Sequence, residues 1–171
     1  MPLLLTGPPG VGKTTIVRAV AQRLAGIQPA GFYTEEIRVH GARCGFRLVT
    51  FDGAEAMIAH VDFPAPRVSK YGVDVAAIDR FARACLDPDR RAAVYLVDEI
   101  GKMECLSAAF VDTAQRLLDS GRPSVATVAQ RGGGLIEEVK RRRDAEIWTV
   151  TRTTRDALPD RILAWLSPHL R

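Results

Sequence analysis

The chain has 171 residues, of which 47% are hydrophobic and 26% charged, and its formal net charge is +4. This composition is typical of one soluble globular domain and excludes a disordered chain. No stretch reaches the ~20 apolar residues that a membrane span needs. The mild basic excess suits a protein that binds phosphates and does not by itself indicate nucleic acid. The three cysteines are widely spaced and form no CxxC pair, as expected of reduced thiols. We therefore expect a single cytoplasmic domain over residues 1–171, present as a monomer.

The amino-terminal part of the chain predicts a strand, a helix and a hairpin. These elements are a buried strand at residues 3–6, an amphipathic helix at 14–25 and a β-hairpin at 31–51. Gly26 is the expected stop of the helix, and His40-Gly41 is a natural turn for the hairpin. Residues 52–73 receive no assignment, because Pro64 and Pro66 interrupt regular structure there.

The rest of the chain alternates helices and strands. The predicted helices cover residues 75–86, the segment after Ser107, residues 135–143 and residues 157–166, and the predicted strands cover residues 92–97, 124–128 and 147–150. Asp74 and Ser107 are the expected caps of the first two helices, and Gly121 is the expected end of the second. This alternation predicts an α/β three-layer sandwich with a mostly parallel central sheet and an inserted β-hairpin.

A phosphate-binding loop is predicted between the first strand and the first helix. The sequence Gly7-Pro8-Pro9-Gly10-Val11-Gly12-Lys13-Thr14 satisfies GxxxxGK[ST] at every fixed position. Glycines allow backbone N–H groups to converge on phosphate oxygens, and the helix that follows favours anions at its amino end. We expect Lys13 to reach the β- and γ-phosphates, the Thr14 hydroxyl to bind Mg²⁺, and Thr15 to contact the α-phosphate. The alternative is an ordinary glycine-rich turn.

A second acidic motif follows the apolar run at residues 93–97. Asp98 lies where the partner of a phosphate loop usually binds Mg²⁺, often through water. Glu99 could polarise an attacking water, as general-base catalysis requires. The alternative is a core strand that ends in an ordinary acidic loop.

Three segments together resemble the cancer-related nucleoside-triphosphatase family of small P-loop enzymes. They are residues 7–15, GFYTEE at residues 31–36 and VDEIGKME at residues 97–104. The resemblance implies a RecA-like α/β fold, and hydrolysis of ATP, GTP and other NTPs to NDP and phosphate with loose base selectivity. It also implies a second nucleotide motif formed by Val94, Tyr95, Leu96, Val97, Asp98, Glu99, Ile100 and Gly101. The chain departs from the family's pattern at Cys105-Leu106, where Leu-Phe is common, and at Thr154, where Asn is common before Arg155.

Several charged residues allow two interpretations. Lys102 could stabilise charge on the γ-phosphate, or be a surface lysine paired with Glu104. The basic run at residues 140–143 could be a solvated helix face. Alternatively, it could supply an arginine that contacts the γ-phosphate (Arg142 or Arg143), or a patch that binds a nucleic-acid end. Nucleic-acid binding is not favoured.

Further polar residues are less informative. Thr127 and Gln130 follow a predicted strand and could sense the γ-phosphate or be structural. Glu35 and Glu36 fit exposed charges at a strand edge.

The sequence therefore favours an NTP hydrolase, with two competing functions. One is a small kinase that phosphorylates a nucleoside or a polynucleotide 5′ end, with the unassigned segment 52–73 as a lid. The other is a nucleotide-dependent switch, which the absence of an NKxD motif disfavours.

Overall fold

The structure is a computed structural model that describes residues 1–24 and 26–170. Its strands are β1 Leu3–Thr6, β2 Ala30–Val39, β3 Ala42–Thr50, β4 Glu55–His60, β5 Arg67–Val68, β6 Tyr71–Val73, β7 Tyr95–Ile100, β8 Ser124–Val128 and β9 Glu146–Thr149. Its α-helices are α1 Lys13–Arg23, α2 Val75–Cys85, α3 Ala108–Asp119, α4 Leu135–Lys140 and α5 Leu158–Leu166.

The nine strands of the described residues form one sheet in the order β5-β6-β4-β3-β2-β7-β8-β1-β9. The pairs among β2, β7, β8, β1 and β9 are parallel. The pairs among β2, β3, β4, β6 and β5 are antiparallel. The predicted α/β fold is confirmed. The parallel half contains the predicted phosphate loop, and the antiparallel half is larger than the single hairpin expected.

The helices cover both faces of the parallel half, as a three-layer sandwich requires. Leu3 and Leu5 of β1 point to one face and pack in a core with α1 and α5. Leu4 points to the other face and packs in a core with α2, α3 and α4. Side chains alternate between the faces of a strand, so this short apolar strand contributes to both cores.

The predicted caps and turns match the structure closely. The side chain of Asp74 accepts a hydrogen bond from the backbone N–H of Ala77 at the start of α2, and the side chain of Ser107 accepts one from Phe110 at the start of α3. The hairpin turns at His40-Gly41, where both residues have positive φ, as the turn of a two-residue hairpin requires.

Several predicted boundaries differ from the structure. Helix α1 begins at Lys13 and ends at Arg23, and the predicted end at Ala25 lies outside the described residues. Strand β7 begins at Tyr95 rather than at Ala92, and it extends through the acidic pair to Ile100. Helix α4 ends at Lys140 rather than at 143.

The segment 52–73 contains three strands that the sequence analysis did not assign. Strand β4 pairs with β3 and β6, and the two-residue strand β5 pairs with β6. None of the described helices is long and apolar enough to cross a bilayer.

Candidate nucleotide and metal site

The loop between β1 and α1 has a backbone that only glycine allows at several positions. A Cβ at Gly7 would lie 2.7 Å from the carbonyl oxygen of Val150. Gly12, which precedes α1, has φ 112°, and Gly10 has φ 76°. Residues with side chains avoid these conformations. The glycine positions of the motif are therefore explained by close approach and by positive φ, as expected of a loop that presents backbone N–H groups to an anion.

The side chain of Lys13 folds back across this loop. Its Nζ donates hydrogen bonds to the carbonyl oxygens of Gly7, at 2.7 Å, and of Pro8, at 3.4 Å. Pro8, Pro9 and Gly10 are exposed. The ammonium group is thus held inside the curve of an exposed loop, where it can contact an anion bound there.

The carboxylate of Asp98 joins the loop to the centre of the sheet. The hydroxyl of Thr14 donates to its Oδ2 at 2.6 Å, and the hydroxyl of Thr127 donates to its Oδ1 at 2.6 Å. The backbone N–H of Thr34 approaches the same Oδ2 at 3.5 Å. Asp98 is 2% exposed. Its burial raises the pKa of the carboxyl, and the hydrogen bonds and Lys13 oppose that shift.

These oxygen atoms fit a hard divalent cation with few protein ligands. A magnesium ion keeps several waters and binds through one or two protein oxygens plus phosphate oxygens. Thr14 and Asp98 provide such oxygens beside the loop. Within residues 1–24 and 26–170 there is no cluster of three or more His, Cys, Asp or Glu side chains that would form a complete protein cage for a metal.

Glu99 follows Asp98 across a cis peptide bond and is partly buried. Burial raises its pKa, the neighbouring Asp98 raises it further, and Lys13 opposes the shift. A carboxylate in such surroundings is a stronger base than a solvated one, which suits a group that accepts a proton.

Glu104 is a buried acid, which the sequence named only as a possible partner of Lys102. It is 4% exposed, and burial, followed by the charge of Glu99, raises its pKa to about 8. Lys102 is exposed and forms no ion pair within the described part of the chain, so the pair with Glu104, one of the two alternatives for this lysine, is not formed.

The other segments predicted at the site occupy different positions. The side chains of residues 94–97, which lie in β7 or directly before it, are buried in the core. The Tyr95 hydroxyl donates a hydrogen bond to the Asp87 carbonyl oxygen at the amino end of the strand. These residues, with buried Ile100, position Asp98 and Glu99. Gly101 lies beside both Glu99 and Glu104.

The candidate arginine of the basic run is engaged elsewhere. Arg142 contacts Asp119 at 2.6 Å and Asp144 at 2.7 Å. These contacts lie at the carboxyl end of α3, so the structure favours a stabilising role for Arg142 over a γ-phosphate contact. The backbone carbonyl of Gln130 accepts a hydrogen bond from Lys140.

Two contacts were missed by sequence reasoning. The backbone N–H of Thr34 lies at Asp98. The sequence predicted the strand of Thr34 as part of a hairpin and did not connect it with Asp98. Arg155 donates to the carbonyl oxygen of Val11 at 3.3 Å, so its side chain lies on the phosphate loop. Neither contact has a local sequence pattern, because each joins residues far apart in the chain.

Comparison with known proteins agrees with this geometry. The family model described as NTPase matches residues 2–163. The nucleoside-triphosphatase THEP1 of Thermotoga sp. (strain RQ2) is 37% identical over 168 residues, which cover 97% of this chain and 95% of that protein. The human cancer-related nucleoside-triphosphatase is 35% identical over 178 residues, which cover 92% and 93%.

Solved structures give the same result. The crystal structure of THEP1 from the hyperthermophile Aquifex aeolicus superposes with a TM-score of 0.87 at 35% identity, over 97% of this chain and 99% of that one. The solution structure of the human enzyme gives a TM-score of 0.81 at 34% identity, over 97% of both chains. The expected resemblance is confirmed, and the chain belongs to this NTPase family.

Proposed function

We propose that this protein is a Mg²⁺-dependent nucleoside-triphosphatase that hydrolyses ATP, GTP and other NTPs to NDP and phosphate with loose base selectivity. The observation that carries the proposal is the 2.6 Å hydrogen bond from Thr14 to Asp98, which joins the phosphate loop to the strand that also bears Glu99. The names of the relatives, which are all triphosphatases, support the same activity.

The phosphate chain is bound by residues 7–14. Backbone N–H groups of the loop and the amino end of α1 attract its oxygens, and Lys13 contacts the β- and γ-phosphates. Thr15 contacts the α-phosphate. Thr14 and Asp98 hold Mg²⁺, which when bound neutralises charge on the β- and γ-phosphate oxygens.

Glu99 orients the attacking water in this proposal. The water oxygen forms a bond to the γ-phosphorus, the bond from that phosphorus to the β–γ bridging oxygen breaks, and NDP leaves. Glu99 accepts a hydrogen bond from the water and receives its proton. Lys102 is exposed and directly follows Gly101. In this proposal its ammonium group stabilises the negative charge that develops on the γ-phosphate.

The kinase alternative is not favoured. Its support was the basic run at residues 140–143 and the unassigned segment 52–73, which could form a lid. Half of that segment belongs to strands β4, β5 and β6 of the sheet. We place the enzyme in the cytoplasm, an assignment supported by the free thiols of Cys44, Cys85 and Cys105.

The test is phosphate release from ATP, GTP, CTP and UTP, with Mg²⁺ or with EDTA, by the wild type, Lys13→Ala, Lys102→Ala and Glu99→Gln. We expect EDTA and Lys13→Ala to abolish release, Lys102→Ala to slow it, and Glu99→Gln to lower kcat by ~10²-fold or more while nucleotide still binds. Glu55→Gln, at an exposed position of β4, is the matched control for a lost carboxylate.

Two results would contradict the proposal. Normal turnover by Glu99→Gln would exclude its role with water. Transfer of labelled γ-phosphate to an added nucleoside or 5′-hydroxyl oligonucleotide, faster than its release, would identify a kinase.

A further inference from the structure

The loop that follows β9 packs directly on the phosphate loop. The carbonyl oxygen of Val150 lies 2.7 Å from where a Cβ on Gly7 would be, and the Cδ of Arg155 lies 3.6 Å from where a Cβ on Gly12 would be. The Nη1 of Arg155 donates to the carbonyl oxygen of Val11 at 3.3 Å. Two of the motif glycines therefore contact this loop, and one of them lies beside an arginine.

A turn of threonines fixes the direction of Arg155. The backbone N–H of Thr151 donates to the Thr154 hydroxyl at 3.0 Å, and the N–H of Thr154 donates back to the Thr151 hydroxyl at 3.2 Å. The N–H of Arg155 donates to the Thr151 carbonyl at 3.0 Å. Thr154 thus provides the side-chain acceptor that closes the turn, although the family commonly has Asn there. The departure keeps Arg155 against the loop.

The sheet order indicates which end of a bound nucleotide this arginine meets. Strand β1, which leads into the phosphate loop, lies between β8 and β9, and β7 lies beyond β8. The groups assigned to the metal and the water, on Asp98 and Glu99, are therefore on the β7 side. A triphosphate with its γ-phosphate there extends its α-phosphate and nucleoside away from β7, toward the loop after β9.

Neighbouring residues of α1 support this orientation. Thr14 faces Asp98, and Thr15 is turned by ~100° around the helix and is exposed. The α-phosphate contact assigned to Thr15 thus lies away from the γ-phosphate side.

We propose that Arg155 forms one wall of the nucleoside site and that its guanidinium stacks on the base. A guanidinium plane packs on any aromatic face without reading its hydrogen-bond pattern, so this contact accepts all four bases. The side chain is 44% exposed, and its nearest acid, Asp156 at 3.6 Å, is 91% exposed and binds it weakly. This inference rests on the proposed function and adds the element that binds the nucleoside.

Equilibrium binding tests the inference separately from turnover. Calorimetric titration with Mg²⁺ measures the Kd of non-hydrolysable analogues of ATP, GTP, CTP and UTP, and of inorganic tripolyphosphate. The proteins are the wild type, Arg155→Ala, Arg155→Lys and Arg152→Ala. Arg152 is an exposed arginine of the same loop, and it has no hydrogen bond or ion pair to any described residue, which makes it the matched control. Thermal unfolding verifies that each variant folds.

We expect Arg155→Ala to raise the Kd of all four nucleotide analogues by roughly tenfold, the loss of one stacking contact. Arg155→Lys keeps the positive charge but lacks the planar guanidinium group, so it should raise the Kd of the nucleotide analogues as much as Arg155→Ala does. The Kd of tripolyphosphate should change less than about twofold in both Arg155 variants, and Arg152→Ala should match the wild type for every ligand.

Three outcomes would overturn the inference. Equal losses for tripolyphosphate and nucleotides would make Arg155 a phosphate ligand, and rescue by Arg155→Lys would exclude stacking. Unchanged nucleotide binding by folded Arg155→Ala would remove Arg155 from the site. If the nucleotide analogues bind as expected but the wild type releases no phosphate, only the proposed hydrolysis is wrong.

Discussion

The carboxylates of Glu99 and Glu104 converge on the backbone of Gly101. One oxygen of each lies 2.8 Å from the point where a Cβ on Gly101 would be. The two acids are therefore close together, Glu104 buried and Glu99 partly buried, and burial raises the pKa of both. Gly101 separates them in sequence and leaves the space that both carboxylates occupy.

Gly101→Ala should strongly reduce hydrolysis. Its methyl group would approach both carboxylates to 2.8 Å, closer than a Cβ tolerates, so Glu99 must move. Small displacements of a catalytic group cost about 10²-fold in rate. We therefore expect kcat for ATP to fall by roughly that factor while the Kd for a nucleotide analogue changes little.

The matched control is Gly133→Ala. Gly133 lies in the exposed loop before α4, and an added Cβ there meets nothing within 4 Å. This variant should retain wild-type kcat. If Gly101→Ala turned over ATP normally, the position assigned to Glu99 would be wrong.

Glu104→Gln should change how stability depends on pH. Burial raises the pKa of Glu104 to about 8, whereas in the unfolded chain a glutamate titrates near ~4.3. Between these values the folded protein binds more protons, so the free energy of unfolding falls as pH rises, by up to ~1.4 kcal/mol per pH unit from this group. The contribution of Glu104 to the free energy of unfolding is greatest at pH values below its unfolded pKa and is fully lost above about pH 8.

Glutamine resembles the protonated acid and does not titrate. Urea unfolding of the wild type and of Glu104→Gln, measured in EDTA between pH 5 and pH 9, should therefore show the variant gaining stability relative to the wild type as pH rises. Glu138→Gln on the exposed face of α4 is the control. Parallel stability curves for Glu104→Gln and the wild type would contradict a buried neutral carboxyl.

The sequence predicted those parts of the site that local spacing determines. The loop from Gly7 to Thr14 has fixed positions, and its strand and helix are adjacent in the chain. The sequence also predicted Asp98, because an apolar run marks its strand. Contacts between distant residues were not predictable in this way: Thr34 and Asp98 are far apart in sequence and meet only because β2 pairs with β7.

The antiparallel half of the sheet shows the same limit. The hairpin of β2 and β3 has a turn at His40-Gly41 and strong β-formers, so it was predicted. Strand β4 has Ile58 and Ala59 buried but exposed Glu55 and Met57, and β5 has only two residues. Such short strands form because existing strand edges pair with them, which local propensity does not encode.

Thr127→Val should lower the catalytic efficiency and raise the Mg²⁺ concentration that the enzyme needs. The hydroxyl of Thr127 is fully buried and donates to Asp98 at 2.6 Å, so valine of similar shape leaves one carboxylate oxygen without that donor. An unsatisfied buried group costs ~1–3 kcal/mol. We expect kcat/KM to fall about tenfold or more, with a higher Mg²⁺ concentration at half-maximal rate.

Thr127→Ser keeps the hydroxyl and should stay close to wild type in the same Mg²⁺ titration. Serine keeps the hydroxyl and lacks the methyl group, whereas valine keeps the methyl group and lacks the hydroxyl. Equal losses in the two variants would therefore mean that the effect is not specific to the hydrogen bond to Asp98.

Arg142→Ala should lower stability and leave catalysis intact. Arg142 joins Asp119 and Asp144 and donates to the carbonyl oxygen of Leu118, so it ties the segment after α4 to the carboxyl end of α3. A cation at that helix end is favourable. We expect the midpoint of thermal unfolding to fall by a few degrees, with kcat for ATP within about twofold of wild type. Arg141→Ala, at an exposed neighbour without an ion pair in the described part of the chain, should change neither quantity. A loss of kcat in Arg142→Ala with an unchanged unfolding midpoint would instead indicate that Arg142 contacts the γ-phosphate. The reason is that an ion pair that only stabilises α3 cannot affect turnover without affecting unfolding.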